Sequence, residues 1–272
     1  MPRLSIRPPL RGGLVALIAV VLAGCAIAKP RTDDPWEPFN RKMYAFNDAL
    51  DRSVIRPIAV GYRKVTTPNS RRLISNFFAN VRMPITIAND VLQGEPGAAL
   101  RDTARFAVNT TLGLAGLFDP ASQMHLPLNE TDFGVTLAKW GLPEGPYVVV
   151  PFVGSTTMRD VWRLPVDSQF FDPLAAYGRH HDHELKAQYL PSFLYLVTLR
   201  ARGIEAENLL EGVYDPYIFY RDAYRQQRLY EIYDGQPPAE VLEQMQGLDD
   251  IDVDQLLEEQ REYERGQDGG GG

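Results

Sequence analysis

A single cysteine directly behind an apolar run is the feature that most constrains this chain of 272 residues. Arginines at positions 3, 7 and 11 precede the run, and Ala23 and Gly24 separate it from Cys25. A positive start, an apolar middle and a small-residue cleavage site are the three parts of a secretory signal peptide. We therefore predict that residues 1–24 are a signal peptide. Without a second cysteine, the remaining chain must fold without disulfides or a cysteine-based zinc site.

The four residues Leu22 to Cys25 resemble the lipobox of bacterial lipoproteins. The resemblance implies that Cys25 is acylated and begins a lipidated stalk over residues 25–33. The alternative is an ordinary signal peptide with an incidental cysteine. In lipoproteins, an aspartate after the acylated cysteine directs retention at the inner membrane. Ala26 occupies that position here, so we expect a lipid-anchored protein on the periplasmic face of the outer membrane.

Charge is distributed unevenly along the chain. The formal net charge is -7, yet residues 239–272 carry eleven acidic residues against two arginines, so the part before them is nearly neutral. We predict that this acidic tail is disordered. The nearly neutral residues 34–238 contain nothing like the basic stripe that nucleic-acid binding requires, so we expect no nucleic-acid partner.

Apolar residues recur at three- and four-residue steps through much of residues 34–238, which predicts a mostly α-helical domain. Asp34-Pro35 and Asp215-Pro216 have the form of a capping residue followed by proline in the first helical turn. Pro84 is expected to break or restart a helix. From Trp36 to Leu50, phenylalanines and asparagines share one helix face. That face either lines a partly polar interior or is the edge of an ordinary amphipathic helix docked on a core.

A charge-free stretch of residues runs from Phe106 to Phe118 at the end of a helix predicted over residues 98–117. Thirteen helical residues extend about 20 Å, which is shorter than the ~30 Å hydrocarbon core of a bilayer. The stretch is therefore suited to one leaflet, or else it is a buried helix of a soluble core. Gly113 and Gly116 within it provide small surfaces that allow close packing of helices.

One short β-hairpin is predicted beside these helices. The valine run that follows Tyr147 is typical of a strand, and Pro151 restricts it to a sheet edge or a hairpin arm. Several glycines and prolines precede the run over residues 141–146. Because hinges need residues that absorb a change in dihedral angle, we predict that Gly141 and Gly145 are the hinges of a gate.

The last helical segment combines tyrosines with arginines. Aromatic rings at headgroup level and guanidinium groups against phosphates would suit a membrane interface. The alternative is an ordinary surface helix that uses tyrosine for packing. The predicted interfacial residues are Tyr217, Arg221, Tyr224 and Arg225.

Motifs of common enzymes are missing from the sequence. It contains no Gly-x-Ser-x-Gly, no phosphate-binding glycine loop and no His-Glu-x-x-His. Histidines at positions 180, 181 and 183 either bind a metal or form a polar surface loop. A phospholipid hydrolase with a metal in this loop is one alternative, but no second cluster completes such a site. We therefore predict no enzyme activity, no cofactor and no metal.

Several motifs in a fixed order identify a family. They are Asp34 to Arg41, Asn109 to Gly113 with Phe118-Asp119, Gly145 to Tyr147 leading to Arg159-Asp160, and Asp215 to Tyr217 with Arg221 and Tyr224. Together they resemble the MlaA (VacJ) phospholipid-transport lipoproteins from about residue 34 to residue 228. The histidine loop and the acidic tail are not part of that pattern.

The resemblance implies a ring-like bundle of amphipathic helices that lies in one leaflet of the outer membrane, with a central conduit. It also implies a trimeric porin as neighbour and delivery of phospholipid to the periplasmic carrier MlaC. Misplaced phospholipids would thereby leave the outer leaflet, which maintains lipid asymmetry. A structural lipoprotein that scaffolds porins or the cell wall would share the anchor and the neutral domain, and it is the alternative.

For a conduit of this kind, polar side chains must face headgroups and apolar side chains must face acyl chains. We predict that asparagines line the polar side while phenylalanines and leucines contact the tails or seal the ring. The predicted conduit residues are Phe39, Asn40, Phe46, Asn47, Asn109, Leu112 and Leu117.

Overall fold

The computed structural model describes residues 34–180, 185–210 and 213–242. The predicted signal peptide, the whole predicted stalk over residues 25–33 with Cys25, the histidines at positions 181 and 183, and residues 243–272 of the acidic tail lie outside the described residues.

The described residues form a mostly helical structure with one short antiparallel hairpin, as predicted. The helices are α1 (Glu37–Leu50), α2 (Arg56–Val65), α3 (Pro68–Gln93), α4 (Pro96–Thr111), α5 (Pro120–Gln123), α6 (Phe133–Lys139), α7 (Arg163–Val166), α8 (Pro173–His180), α9 (Leu185–Gly203) and α10 (Pro216–Ile232). The strands are β1 (Tyr147–Val150) and β2 (Gly154–Thr157), with Tyr147 opposite Thr157 and Val150 opposite Gly154. Single π-helical turns cover Asp51–Ile55 and Asp167–Phe171, and 3-10 turns cover Asp160–Trp162 and Ile204–Leu210.

Local signals explain several helix ends. The Asp215 carboxylate accepts a hydrogen bond from the backbone N–H of Tyr217 at 3.0 Å, which confirms the predicted start of α10. Thr67 and Ser70 cap α3 reciprocally. At the first helix the prediction is corrected, because α1 begins at Glu37, after Trp36, rather than at Pro35.

Pro84 does not break its helix, contrary to the prediction. α3 runs without interruption from Pro68 to Gln93 and ends at Gly94, whose φ of 77° is left-handed. Met83 and Ile85, on either side of the proline, are both buried. We attribute the continuity to this burial, since tertiary packing offsets the hydrogen bond that proline removes from a helix.

The charge-free stretch also differs from the prediction, because α4 ends at Thr111 and not at residue 117. Leu114, Ala115 and Gly116 all have positive φ angles, so the backbone turns back instead of continuing the helix. A Cβ atom on Gly116 would lie 2.4 Å from the Cβ atom of Asn80 on α3. Gly116 therefore permits close packing, as predicted, but between the turn after α4 and helix α3 rather than between two helices.

The hairpin packs on helices α1 and α10 through aromatic rings. Tyr147, Val149 and Tyr217 form a buried cluster, and Tyr44 and Tyr224 pack against it. The ring centroids of Tyr147 and Tyr217 are 6.3 Å apart at a steep angle, a favourable edge-to-face contact. The hairpin is therefore fixed against α1 and α10 from the side of β1.

Among the described residues, no helix combines the length and the apolar composition that a bilayer crossing needs.

Two buried carboxyl groups face each other between helices α3 and α4. Asp90 on α3 and Asp102 on α4 are both fully buried. Burial, followed by the neighbouring carboxyl of Asp102, raises the pKa of Asp90 to about 7; Glu95 adds to this effect and Arg101 opposes it. The folded protein therefore retains a proton that the unfolded chain releases near pH 4.

The first prediction concerns stability against pH. Because the pKa of Asp90 is raised in the folded state, its stabilising contribution is lost as the pH rises toward 7. Between pH 5 and pH 7 the free energy of unfolding should fall by up to about 2 kcal/mol. In Asp90→Asn this fall should largely disappear in thermal unfolding followed by circular dichroism. Glu240→Gln, at an exposed position, should retain it. Equal pH profiles for Asp90→Asn and the wild type would contradict the prediction.

Candidate functional site

The candidate site is a cavity of about 660 Å³ between helices α3, α9 and α10. The segment before α6 and the turns from residue 163 to residue 172 complete its wall. Apolar side chains form one part of the lining: Met83, Ile85, Leu128, Leu164 and Leu199. Charged side chains form the other part: Arg82, Arg163, Arg202 and Arg228 with Glu130, Asp132, Asp167, Asp172 and Glu231. The cavity is thus amphipathic.

A buried guanidinium group organises the charged wall. Arg228 on α10 donates two parallel hydrogen bonds to Asp132, each 2.9 Å long, and a third of 3.2 Å to Asp160. Asp132 also caps α6 by accepting a hydrogen bond from the N–H of Val135. The ion pairs therefore join α10, the start of α6 and the turn after the hairpin.

The network keeps its carboxylates ionised. Burial alone would raise the pKa of Asp160, but the positive charges of Arg228 and Arg159 outweigh burial and lower the pKa to about 2. The hydroxyl group of Tyr224 donates a 2.9 Å hydrogen bond to the same carboxylate. Burial raises the pKa of Tyr224 well above its ordinary value, so this group remains a donor.

A second arginine of the cavity lining lies on α3. The guanidinium of Arg82 on α3 donates to Asp172 at 2.9 Å, and its carbon atom lies 5.0 Å from the ring centre of Tyr195 on α9. This arrangement combines an ion pair with a cation–π contact. These two contacts fix the orientation of the Arg82 and Tyr195 side chains in the cavity wall.

A second cavity, also of about 660 Å³, lies beside the first and shares Leu199 with it. Leu196, Phe219 and Tyr220 contribute to its lining. Its charged groups are tied together, since Arg200 donates to Asp51 and Glu207. Leu199 therefore contacts both spaces.

Two predicted conduit residues have another role. The Asn40 side chain donates to the carbonyl of Tyr147 at 3.0 Å and accepts from the N–H of Val149 at 2.9 Å. Asn47 makes the same pair of contacts with Val150 and Phe152. These amides replace a neighbouring strand along the free edge of β1. Asn40 has no exposed surface to offer a conduit, so we correct its assignment to hairpin attachment.

Asn109 is likewise used within the fold. It is buried, donates to Asp119 at 3.0 Å and accepts from the N–H of Ala121 at 3.1 Å. It therefore holds the return of the chain after the turn at residues 112–118, and we correct its assignment as well. The remaining predicted conduit residues, Phe39, Phe46, Leu112 and Leu117, are absent from the lining of both cavities.

Several of the predicted conduit residues are apolar side chains exposed on the surface of the protein. Leu112 is 69% exposed, and Phe39 and Phe46 are about half exposed. The ring of Phe46 packs edge-on against Phe152 at the hairpin tip, with ring centres 5.3 Å apart. These side chains therefore form exposed apolar surfaces rather than cavity walls.

The predicted interfacial residues on α10 pack mostly inward. Tyr217 is buried, and Tyr224 reaches Asp160. Arg221 donates to the adjacent Asp222, and the guanidinium of Arg225 lies 3.5 Å from the Glu144 carboxylate. Tyr217 is thus a packing residue, and its interfacial assignment is corrected. The interfacial role of Arg221, Tyr224 and Arg225 stays a prediction.

The predicted hinge glycines lie in the chain before β1. Gly141 and Gly145 both have left-handed φ angles, 89° and 69°, which favour glycine. The N–H of Met158 donates to the carbonyl of Pro146 at 3.0 Å, which closes the hairpin at its base. A hinge role for these glycines stays a prediction.

A model of the family described as MlaA lipoprotein matches residues 32–231. The chain belongs to the MlaA lipoprotein family. The intermembrane phospholipid transport system lipoprotein MlaA of Escherichia coli is 36% identical over 224 residues, which are 80% of this chain and 86% of that protein. The Haemophilus influenzae protein of the same name is 30% identical and covers 82% of this chain and 90% of its own. An uncharacterized protein of Rickettsia typhi is 36% identical over 72% of this chain and 76% of its own.

A solved structure is similar as well. It was described in work on the structural basis for maintenance of bacterial outer membrane lipid asymmetry, and it superposes with a TM-score of 0.61 at 34% identity. The match covers 72% of this chain and 96% of the other. The helical fold with its small hairpin is therefore that of the MlaA family.

Within the described residues, no group of three or more histidine, cysteine, aspartate or glutamate side chains has the geometry of a metal site. His180 is exposed at the end of α8. The other two histidines of that cluster lie outside the described residues.

The second prediction tests the buried network through Gly134 in α6. A Cβ atom at this position would lie 2.6 Å from the Nη2 atom of Arg228 and 2.8 Å from the Oδ1 atom of Asp160. Gly134→Ala should therefore lower the free energy of unfolding by about 2–4 kcal/mol, since it separates a buried ion pair. Chemical denaturation measures this loss.

The matched control is Gly61→Ala in α2, where an added Cβ atom meets nothing within 4 Å. An alanine there should stabilise the protein by up to about 1 kcal/mol, because it reduces the freedom of the unfolded chain. Equal stability of the two variants would contradict the role of the network.

Proposed function

We propose that this protein is the outer-membrane lipoprotein of an intermembrane phospholipid transport system. In this function it removes misplaced phospholipids from the outer leaflet and passes them to a periplasmic carrier. Membership of the MlaA family supports the system, and the amphipathic cavity is the observation that supports the mechanism. A lipid has an apolar and a polar end, and this cavity offers both kinds of lining.

Physical chemistry explains why such a cavity is needed. Exposing two sixteen-carbon acyl chains to water costs on the order of 25 kcal/mol at ~0.8 kcal/mol per methylene. Moving a charged headgroup through hydrocarbon costs at least several kcal/mol. Apolar side chains such as Leu164 and Leu199 can shelter the tails while Arg163 and Glu130 remain close to the headgroup. A transport route through this cavity reduces both costs.

We further propose that the helices sit ring-like in the inner leaflet of the outer membrane. Leu112, Leu114 and Phe118 project apolar surface from one turn, and Phe46 and Phe152 do so at the hairpin tip. Such side chains contact acyl chains. Gly141 and Gly145 allow the segment before β1, residues 141–146, to gate the route while the hairpin itself stays in place. The family resemblance implies that a trimeric porin is the neighbour and that MlaC is the periplasmic carrier.

The third prediction concerns a bulky side chain placed in the cavity. Ala79 on α3 contributes to the lining, so Ala79→Trp should fill part of the space and lower phospholipid removal by tenfold or more at unchanged abundance. Labelled phospholipid in the outer leaflet of cells measures the rate. Ala107→Trp adds the same side chain at an exposed position on α4, outside the cavity, and should transport normally.

Full transport by Ala79→Trp would remove this cavity from the route. A wild-type protein that neither binds phospholipid during purification nor changes outer-leaflet lipid in cells would instead be a structural lipoprotein. That pair of results would overturn the proposed function.

The fourth prediction concerns the anchor. If Cys25 is acylated, Cys25→Ser should leave the protein unprocessed and away from the outer membrane, because the thiol is the site of lipid attachment. Membrane fractionation and mass spectrometry of the mature N-terminus measure the result. A normally processed, outer-membrane-associated Cys25→Ser protein would contradict the lipid anchor.

A further inference from the structure

Several polar groups of the cavity lining, the Thr86 hydroxyl among them, form no hydrogen bond or ion pair with a described residue. Arg202 and Glu130 line the cavity, and neither forms an ion pair or a hydrogen bond with a described residue. The hydroxyl group of Tyr195, also in the lining, is in the same situation. By contrast, the cavity-lining groups Arg82 and Arg228 are tied to carboxylates. Arg202, Glu130 and the Tyr195 hydroxyl are therefore groups that can bind a ligand.

These groups have opposite charges and lie around the same phenol. Burial raises the pKa of Tyr195, and the charges of Arg82 and Arg202 oppose this while those of Glu130 and Asp172 add to it. Since Arg82 and Asp172 neutralise each other at 2.9 Å, Arg202 and Glu130 remain as one positive and one negative charge. The site therefore offers a separated pair of opposite charges.

A separated pair of charges matches a zwitterionic headgroup. Its phosphate needs a cation and a hydrogen-bond donor, and its amine needs an anion. A purely anionic headgroup would meet Glu130 without compensation, which disfavours it. Nor is the lining suited to a quaternary ammonium group, which prefers a cage of aromatic rings. One face of the Tyr195 ring is taken by the Arg82 guanidinium, and the Phe78 ring also packs against Tyr195.

We propose that the cavity selects phospholipids with a zwitterionic headgroup that carries a primary ammonium, the phosphoethanolamine class. The phosphate binds at Arg202 and the Tyr195 hydroxyl, and the ammonium binds at Glu130. This inference rests on the proposed function and adds a headgroup preference to it.

The test offers the full, purified chain a defined lipid choice. The protein in mild detergent is incubated with equal amounts of phosphatidylethanolamine, phosphatidylglycerol and phosphatidylcholine, and mass spectrometry counts the bound headgroups. The wild type should bind phosphatidylethanolamine in preference to the other two. In Glu130→Gln, the ratio of phosphatidylethanolamine to phosphatidylglycerol should fall about two- to fivefold, as expected for an exposed ion pair. In Arg202→Gln, binding of all three lipids should fall by a similar factor.

Matched controls separate selection from general damage. Glu130→Asp should retain the preference, and Glu240→Gln and Arg72→Gln, at exposed positions outside the cavity, should change neither ratio nor amount. Lipid binding without a headgroup preference, or an unchanged ratio in Glu130→Gln, would overturn this inference and leave the transport function intact. Absence of any bound lipid in the wild type would count against both.

Discussion

The buried guanidinium of Arg228 is the group on which the rest of the site depends. It ties α10 to the capping residue of α6 through Asp132 and to the turn after the hairpin through Asp160. Removing one member of such a network leaves a buried charge without compensation, which costs several kcal/mol. The cavity wall formed by α10 can therefore hardly move relative to α6. The position of Gly134 shows how tightly the chain packs around this group.

The hairpin connects the ion-pair network around Arg228 to helix α1. β2 leads into the turn that carries Asp160, and β1 is held along its free edge by Asn40 and Asn47 of α1. Each asparagine donates and accepts one hydrogen bond, as a neighbouring strand would. The phenylalanine and asparagine pattern of α1 is thus explained by the attachment of a strand. Its polar members bind backbone, and its aromatic members Phe39 and Phe46 face outward.

The sequence predicted those features whose cause is local. Asp215 caps the helix it precedes, and the valine run after Tyr147 forms a strand. The effect of Pro84 and the end of α4 were predicted wrongly because both are determined by tertiary packing. Helix α3 continues through Pro84 because Met83 and Ile85 are buried. The chain turns back after α4 because it packs closely against Asn80. The cavity was missed because its charges come from distant segments, each typical of a solvated surface. The one available signal was Asp132 directly before α6.

The division between tied and untied charges at the cavity suits transport rather than storage. Groups such as Arg82 and Arg228 are neutralised within the fold, so they shape the wall without binding a ligand strongly. Arg202 and Glu130 at the exposed edge exchange water for a headgroup, and exposed ion pairs are worth about 1 kcal/mol or less. A conduit must bind its cargo well enough to admit it and weakly enough to release it. Recognition by two weak, opposite charges, with apolar walls for the tails, meets both requirements.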